Sequence, residues 1–230
     1  MKTKKIVFLV FFLSIIFSIN AQSADNHDDY GNKEYCVLIE TNYGNMIVKL
    51  YNETPKHRDN FLKLVNDGVY DSLLFHRVIN HFMIQGGDPE SKYAKPGQML
   101  GEGTLGYNIP AEFDTNLIHK KGVLAAAREG DNVNPTKASS ASQFYLVQGQ
   151  VWTDESLKIM QEQMGYKFSQ RQIEAYKTIG GTPHLDGEYT VYGEVIEGIE
   201  VIDKIAAVPC DAMNRPIKYV RMNMKVIEIK

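Results

Sequence analysis

Short apolar runs, each stopped by turn-forming residues, recur from Tyr35 to the C-terminus. Tyr35 to Tyr51 reads as a hairpin: Val37 and Ile39 alternate with Leu38 and Glu40, Tyr43-Gly44-Asn45 supplies turn chemistry, and Ile47-Val48-Lys49-Leu50 returns. Further strand candidates are Gly122 to Ala127, Gln143 to Val147, Thr190 to Val195 and Val220 to Ile229. Thr54-Pro55 opens a helix, with Thr as cap and Pro at its first position. Phe61, Leu62, Leu64 and Val65 form its apolar face, and Gly68 ends it. Val201 to Ala206 reads as a second helix. Many short strands with two helices predict a mainly β chain, a closed antiparallel barrel capped at its ends.

One segment departs from this rhythm. Thr153 to Gly181 reads as an αα-hairpin. Leu157, Met160 and Met164 recur at helical spacing, and Gly165 stops the run. Ser169 with Gln172 forms a capping box, Ile173 and Tyr176 continue one face, and Gly180-Gly181 ends it.

The stretch from Phe75 to Asp88 carries the strongest chemical signal. It reads as two short strands with a tight connection, bearing Arg77 and Gln85 among Phe, Met, Val and Ile. No Ser, Thr, Cys or Lys lies inside it. Such a segment can hold and polarise a peptide but is poorly equipped to cut one. Composition alone also allows Arg77 to be a buried arginine paired with a carboxylate. Gln143, just before Phe144-Tyr145, adds a further polar group in apolar surroundings. Together these residues suggest a groove for a neutral, backbone-rich ligand.

The N-terminus reads as an export signal, residues 1–21. Lys2, Lys4 and Lys5 form its basic region, and Ile6 to Ile19 is an apolar run shorter than the roughly 20 residues of a membrane span and of the length of a signal core. Cleavage is expected after Ala21, with Ala24 the other candidate and a retained anchor the other fate. Residues 22–33 form a polar, acidic leader, and 34–230 make one domain large enough to bury a core. Removing residues 1–21 removes three Lys and no acid, taking the formal charge from −3 to −6. That balance argues against nucleic-acid binding. The expected location is periplasmic or secreted, with no membrane attachment after cleavage. Cys36 and Cys210 are compatible with a disulfide or with two isolated thiols, and isolated thiols are the preferred reading.

Other signals are weak. Gly101-Glu102-Gly103-Thr104-Leu105-Gly106 matches a dinucleotide-loop spacing, but Pro110 follows and no helix begins, so a surface loop is expected. The histidines show no metal-ligand spacing, and neither metal nor cofactor is expected. His76 reads as a structural strand residue. Ser139, Ser140 and Ser142 lie outside any nucleophile elbow, which leaves a hydrolase weakly supported. Asn52-Glu53-Thr54 is a formal glycosylation sequon.

Phe75-His76-Arg77-Val78-Ile79 and Phe82-Met83-Ile84-Gln85-Gly86-Gly87-Asp88 resemble the signature of the cyclophilin family of peptidyl-prolyl cis–trans isomerases. Pro110-Ala111-Glu112-Phe113, Ser142-Gln143-Phe144-Tyr145, Leu185-Asp186-Gly187 and Tyr192-Gly193-Glu194-Val195 are similarly placed family motifs. The resemblance spans about Tyr35 to Lys230, interrupted by the helical segment. It implies a closed eight-stranded antiparallel barrel with two capping helices and an outer groove for an X-Pro segment.

Carried over residue by residue, the resemblance implies that Arg77, Gln85 and Phe82 are catalytic. Met83 and Leu185 would join Phe82 in cradling the proline ring, beside Tyr145. Gln143 would hold substrate backbone with Gln85, and Ala125 and Ala126 would line the groove. Four positions depart from the family's common pattern. His184 stands where a Trp that helps bind cyclosporin is frequent, and Tyr189 replaces a frequent groove His. Tyr145 replaces a Phe, and Ala126 replaces an Asn. All four are expected at the substrate site. The implied partners are proline-containing polypeptides, and the protein is expected to act as a monomer. A non-catalytic binding module or holdase on the same fold is the alternative.

Overall fold

The computed structural model describes residues 33–227. The expected signal peptide, residues 22–32 of the leader and the last three residues lie outside the described residues. Within them the chain runs β1 (Cys36–Thr41), β2 (Gly44–Leu50), α1 (Pro55–Asn66), β3 (Phe75–Ile79) and β4 (Met83–Gly86). It continues through β5 (Asn108–Ile109), β6 (Val123–Ala126), β7 (Ser139–Ser140), β8 (Phe144–Val147), α2 (Asp154–Met164) and α3 (Gln170–Thr178). β9 (Val191–Glu197), α4 (Glu200–Ala206) and β10 (Met222–Ile227) complete it. Short 3-10 turns cover Pro89–Tyr93 and Pro183–Leu185.

Eight strands form one antiparallel sheet in the order β10-β1-β2-β9-β6-β8-β4-β3, while β5 and β7 pair separately. Alternation sorts the side chains of each strand to two faces. Leu124, Ile84 and Leu146 point into the main core with Phe144 and Val48. α1 adds Phe61, Leu62, Leu64 and Val65 to that core, and α4 adds Val201, Ile202 and Ile205. Phe144 meets Phe61, Tyr70 and Phe75 edge-on, with ring centroids 5.7–6.0 Å apart. The opposite face carries a smaller cluster of Met83, Val123, Ala125, Tyr145, Val147 and Val191.

The sheet curls without closing into the expected barrel. β3 and β10 are its edges and meet through one isolated bridge, Leu74–Arg221. Phe75 N–H donates to Val220 O and Met222 N–H to Leu73 O, each at 2.9 Å. Beyond that point Val78 N–H donates to Asn214 O at 2.8 Å, so an incoming loop takes the edge that a closing strand would need. The result is an open half-barrel.

Among the described residues the chain contains four α-helices: α1 and α4 where two single helices were expected, and α2 and α3 within the helical segment from Thr153 to Gly181. α2 and α3 lie where helices were expected, and Ile118, Leu157, Phe168 and Tyr176 form a small core of their own. Thr153 caps α2, Gly165 ends it with φ +64, and Ser169 with Gln172 makes the expected capping box on α3. The Thr54 side chain makes no capping bond to α1; its hydroxyl is buried and has no partner. Gly68 terminates α1 as expected, with φ +67 and Val69 N–H bonded to Leu64 O at 3.0 Å. Cys36 and Cys210 are both free thiols.

Candidate active site

The site begins with a bulge. β3 pairs Phe75 with Gly86 and Arg77 with Gln85, leaving His76 as the extra residue. Without a bulge, residues 75 and 77 would share a face. The bulge instead sends Phe75 into the core and Arg77 to the opposite side, where Gln85 stands beside it. The pairing then continues across the sheet: Gln85 opposes Tyr145 on β8, Tyr145 opposes Ala125 on β6, and Ala125 opposes Val191 on β9.

Side chains follow this row. Arg77 Nη1 donates to Gln85 Oε1 at 3.0 Å, and Gln85 Nε2 donates to Gln143 Oε1 at 3.2 Å. Gln143 Nε2 reaches Gly101 O at 2.8 Å and Gly103 O at 2.9 Å. The same loop is held from behind, because Gly101 N–H donates to Asp88 Oδ2 at 2.5 Å. Each amide therefore spends its oxygen on one neighbour and its nitrogen on the next. Arg77 retains further N–H groups for a ligand.

The apolar cradle comes from three parts of the chain. Met83 stands on β4, and Phe82 precedes it with its carbonyl anchored by Gln148 N–H at 3.0 Å and Gly149 N–H at 2.9 Å. Leu185 projects from the turn at Pro183–Leu185. Tyr145 lies between them, and Tyr189 meets it edge-on with centroids 5.9 Å apart. Arg77, Phe82, Met83, Gln85, Tyr145, Leu185 and Tyr189 border one groove of about 360 Å³. A second lobe of about 220 Å³ shares Gln85 and is bordered by Gln143, Gly103 and Ser140.

Other expected residues fall elsewhere. Ala126 faces the main core opposite Phe144, because neighbouring residues of a strand point to opposite faces. Ala127 takes the groove position instead. Ala125 is on the groove side but fully covered. His184 lies outside the groove lining, and its ring stacks on Phe82 at 5.8 Å. Alternation from Ala125 was the available signal for Ala127.

Several lining residues have no motif to announce them. Met99, Leu100 and Gly101 form one rim, while Met213 and Arg215 form another. The Gly-rich loop is thus part of the groove rather than a mere surface loop. Arg215 joins the two rims by donating from Nη1 to Gln98 O at 2.6 Å. Arg128 lies over the Tyr189 ring, 4.6 Å from its centroid. His76 also borders the groove, and neither ring nitrogen has a hydrogen-bond partner.

Buried neutral rings lie beside the arginines that border the groove, Arg77, Arg128 and Arg215, with Glu102 and Asp211 also on its border. Burial lowers the His76 pKa to about 4, assisted by Arg77 and opposed by Asp88. Burial also lowers His184 and raises the Tyr145 hydroxyl well above its ordinary value. Among the described residues, no three His, Cys, Asp or Glu side chains gather as a metal-binding group.

Known proteins share this frame. The family described as cyclophilin type peptidyl-prolyl cis-trans isomerase/CLD matches residues 36–226. Proteins from Staphylococcus aureus and Staphylococcus epidermidis that carry a peptidyl-prolyl cis–trans isomerase name are 36% identical over 185 residues, covering 80% of this chain and 87% of theirs. A crystal structure of a cyclophilin type isomerase from Cryptosporidium parvum aligns with TM-score 0.61 and 25% identity, covering 86% of this chain and all of that one. The same protein crystallised in the presence of the dipeptide Ala-Pro aligns with TM-score 0.58 and 25% identity, covering 85% of this chain and 99% of that one. With an Arg–Gln pair set beside an apolar cradle on this sheet, and a family match running from β1 into β10, the chain belongs to the cyclophilin-type peptidyl-prolyl cis–trans isomerases.

Proposed function

We propose that this protein accelerates rotation about X-Pro bonds in exported polypeptides, with Arg77 stabilising the twisted amide. The observation that carries this reading is the Arg77–Gln85 bond of 3.0 Å at the mouth of an apolar groove. The neighbour crystallised with Ala-Pro supports a proline-containing ligand.

Rotation needs no nucleophile. The peptide C–N bond has partial double-bond character and a barrier of roughly 20 kcal/mol, so uncatalysed exchange takes about 10–100 s. Twisting breaks the resonance, and the prolyl nitrogen becomes pyramidal with a lone pair able to accept a hydrogen bond. A guanidinium keeps its charge and presents donors in a fixed plane. Arg77, steadied through one nitrogen by Gln85, can direct another N–H toward that lone pair. The planar ground state offers no such acceptor, so the bond favours the transition state selectively.

One bond does not account for the whole effect. A hydrogen bond to a charged group contributes about 1.5–3 kcal/mol, while a 100,000-fold acceleration needs about 7 kcal/mol. The remainder comes from holding the proline ring against Phe82, Met83, Leu185 and Tyr145 while the preceding carbonyl turns. On the polar side Gln85 braces Arg77, and Gln143 ties Gln85 to the rim at Gly101 and Gly103.

The test is isomerisation of an Ala-Pro peptide by the wild type and by Arg77→Ala. A large loss in the variant, with unchanged melting temperature, supports the mechanism. Equal activity refutes Arg77's role, and an inactive wild type favours the holdase alternative. For export, N-terminal sequencing of protein recovered outside the cytoplasm should begin at Gln22.

A further inference from the structure

The hydroxyl of Tyr145 points away from the proposed substrate path and into a buried polar chain. It lies 3.0 Å from His119 Nε2, and His119 Nδ1 lies 3.0 Å from Asp186 Oδ1. His119 is fully buried and the Asp186 side chain nearly so. Asp186 receives three more donors: the His119 backbone N–H at 2.8 Å, Gln172 Nε2 at 2.9 Å and Tyr176 OH at 2.7 Å. Gln172 and Tyr176 both belong to α3.

Donor logic fixes the direction of the chain. An ionised carboxylate only accepts, so with Asp186 ionised a neutral His119 carries its proton on Nδ1 and accepts at Nε2. Tyr145 O–H must then be the donor to His119. Burial holds the Tyr145 hydroxyl well above its ordinary pKa and keeps that proton in place. Four hydrogen bonds fill the acceptor sites of Asp186, two of them from α3.

Asp186 follows Leu185 directly in the chain. The carboxylate thus fixes one groove residue through the backbone and a second, Tyr145, through His119. A Phe at 145 would lack this attachment.

We propose that Tyr176 and Gln172 are positioning residues for the isomerisation site, acting through Asp186 and His119 to hold Leu185 and Tyr145 in place. Helix α3 is then a working part of the groove rather than a surface elaboration. Its two residues touch no substrate. They set where the cradle sits, and the isomerisation rate depends on that placement.

This inference rests on the isomerase reading, and one experiment separates the two. Isomerisation of an Ala-Pro peptide is measured by NMR exchange in wild type, Tyr176→Phe, Tyr145→Phe and the double variant, with kcat and KM resolved. Each single change removes one hydroxyl from a side chain that otherwise keeps its shape, and melting curves identify the temperatures at which every variant is folded. The expected result is a fall in kcat of about three- to tenfold in Tyr176→Phe with KM changed less than about twofold, and a smaller factor, carried by Leu185 alone, when Tyr176→Phe is added to Tyr145→Phe. Gln172→Met should reproduce the kcat fall if Tyr176→Phe proves too unstable to measure. A lowered melting temperature with unchanged kcat overturns the inference while leaving the isomerase reading intact. Independent, multiplying losses in the double variant overturn it as well. An inactive wild type overturns both.

Discussion

Gln85→Met tests whether orientation, rather than the mere presence of the cation, makes Arg77 effective. Methionine is unbranched and of similar length, so it can fill the Gln85 site without a large cavity. It removes the 3.0 Å bond to Arg77 Nη1 and the 3.2 Å bond to Gln143. The first involves a charged donor and is worth about 1.5–3 kcal/mol; the second is neutral and long, worth about 0.5–1.5 kcal/mol. Only the first sets the direction of the guanidinium. At about 1.4 kcal/mol per factor of ten, its loss should lower kcat/KM by about 10- to 150-fold. The second bond should appear mainly as lower stability. The assay is exchange of a short Ala-Pro peptide at low temperature, where uncatalysed rotation is slow. In an Arg77→Ala background the same Gln85→Met change should cost less than about threefold, since no guanidinium remains to be aimed. An equal loss in both backgrounds would refute the orienting role and assign Gln85 to direct substrate binding.

Three further outcomes follow from the geometry. Gly87 has φ +88, and a Cβ there would collide with the Ser142 carbonyl oxygen, so Gly87→Ala should cost more than about 2 kcal/mol and lower the melting temperature by at least about 4–8 °C. The folded-state pKa of His76 is depressed from 6.5 to about 4, so its contribution to stability is full above 6.5 and fades as pH falls toward 4. His76→Phe should therefore flatten denaturant-measured stability across that window, and an unchanged slope would count against a neutral buried ring. For Glu112, burial works to raise the carboxyl pKa, but hydrogen bonds from the His57 side chain and from the His57 and Lys56 backbone hold it below 4.5. Its contribution is thus present above 4.5 and lost at lower pH, so Glu112→Gln should be destabilised at neutral pH and show a smaller further loss on acidification.

Local pattern made some of this site readable and left the rest hidden. Arg77, Phe82, Met83 and Gln85 sit within one short stretch whose composition already favours holding over cutting. Hairpin β1–β2, helix α1 and the capping box at Ser169 are written in neighbouring residues, and the structure contains them. The bulge at His76 is different. Strict alternation would put Phe75 and Arg77 on one face, and only pairing with β4 and packing against Phe144 separate them. The Met99 and Met213 rims are hidden for another reason. Their loops carry no periodicity, and distant bonds such as Arg215 to Gln98 O position them. The open sheet depends on Asn214 O reaching Val78 N–H, a contact between segments far apart in the chain.

The pairing of β1 with β10 has a consequence for the order in which the molecule can be completed. Glu40 and Lys225 reach each other across this pair, yet they lie 185 residues apart in the chain. A ribosome adds about 5–20 residues per second, so β1 waits roughly 10–40 s after its own synthesis for its outer neighbour. During that interval one long edge of β1 has no ladder to join, and unpaired strand edges invite association with other chains. A nascent copy of this protein is therefore, for tens of seconds, itself a chain in need of shelter.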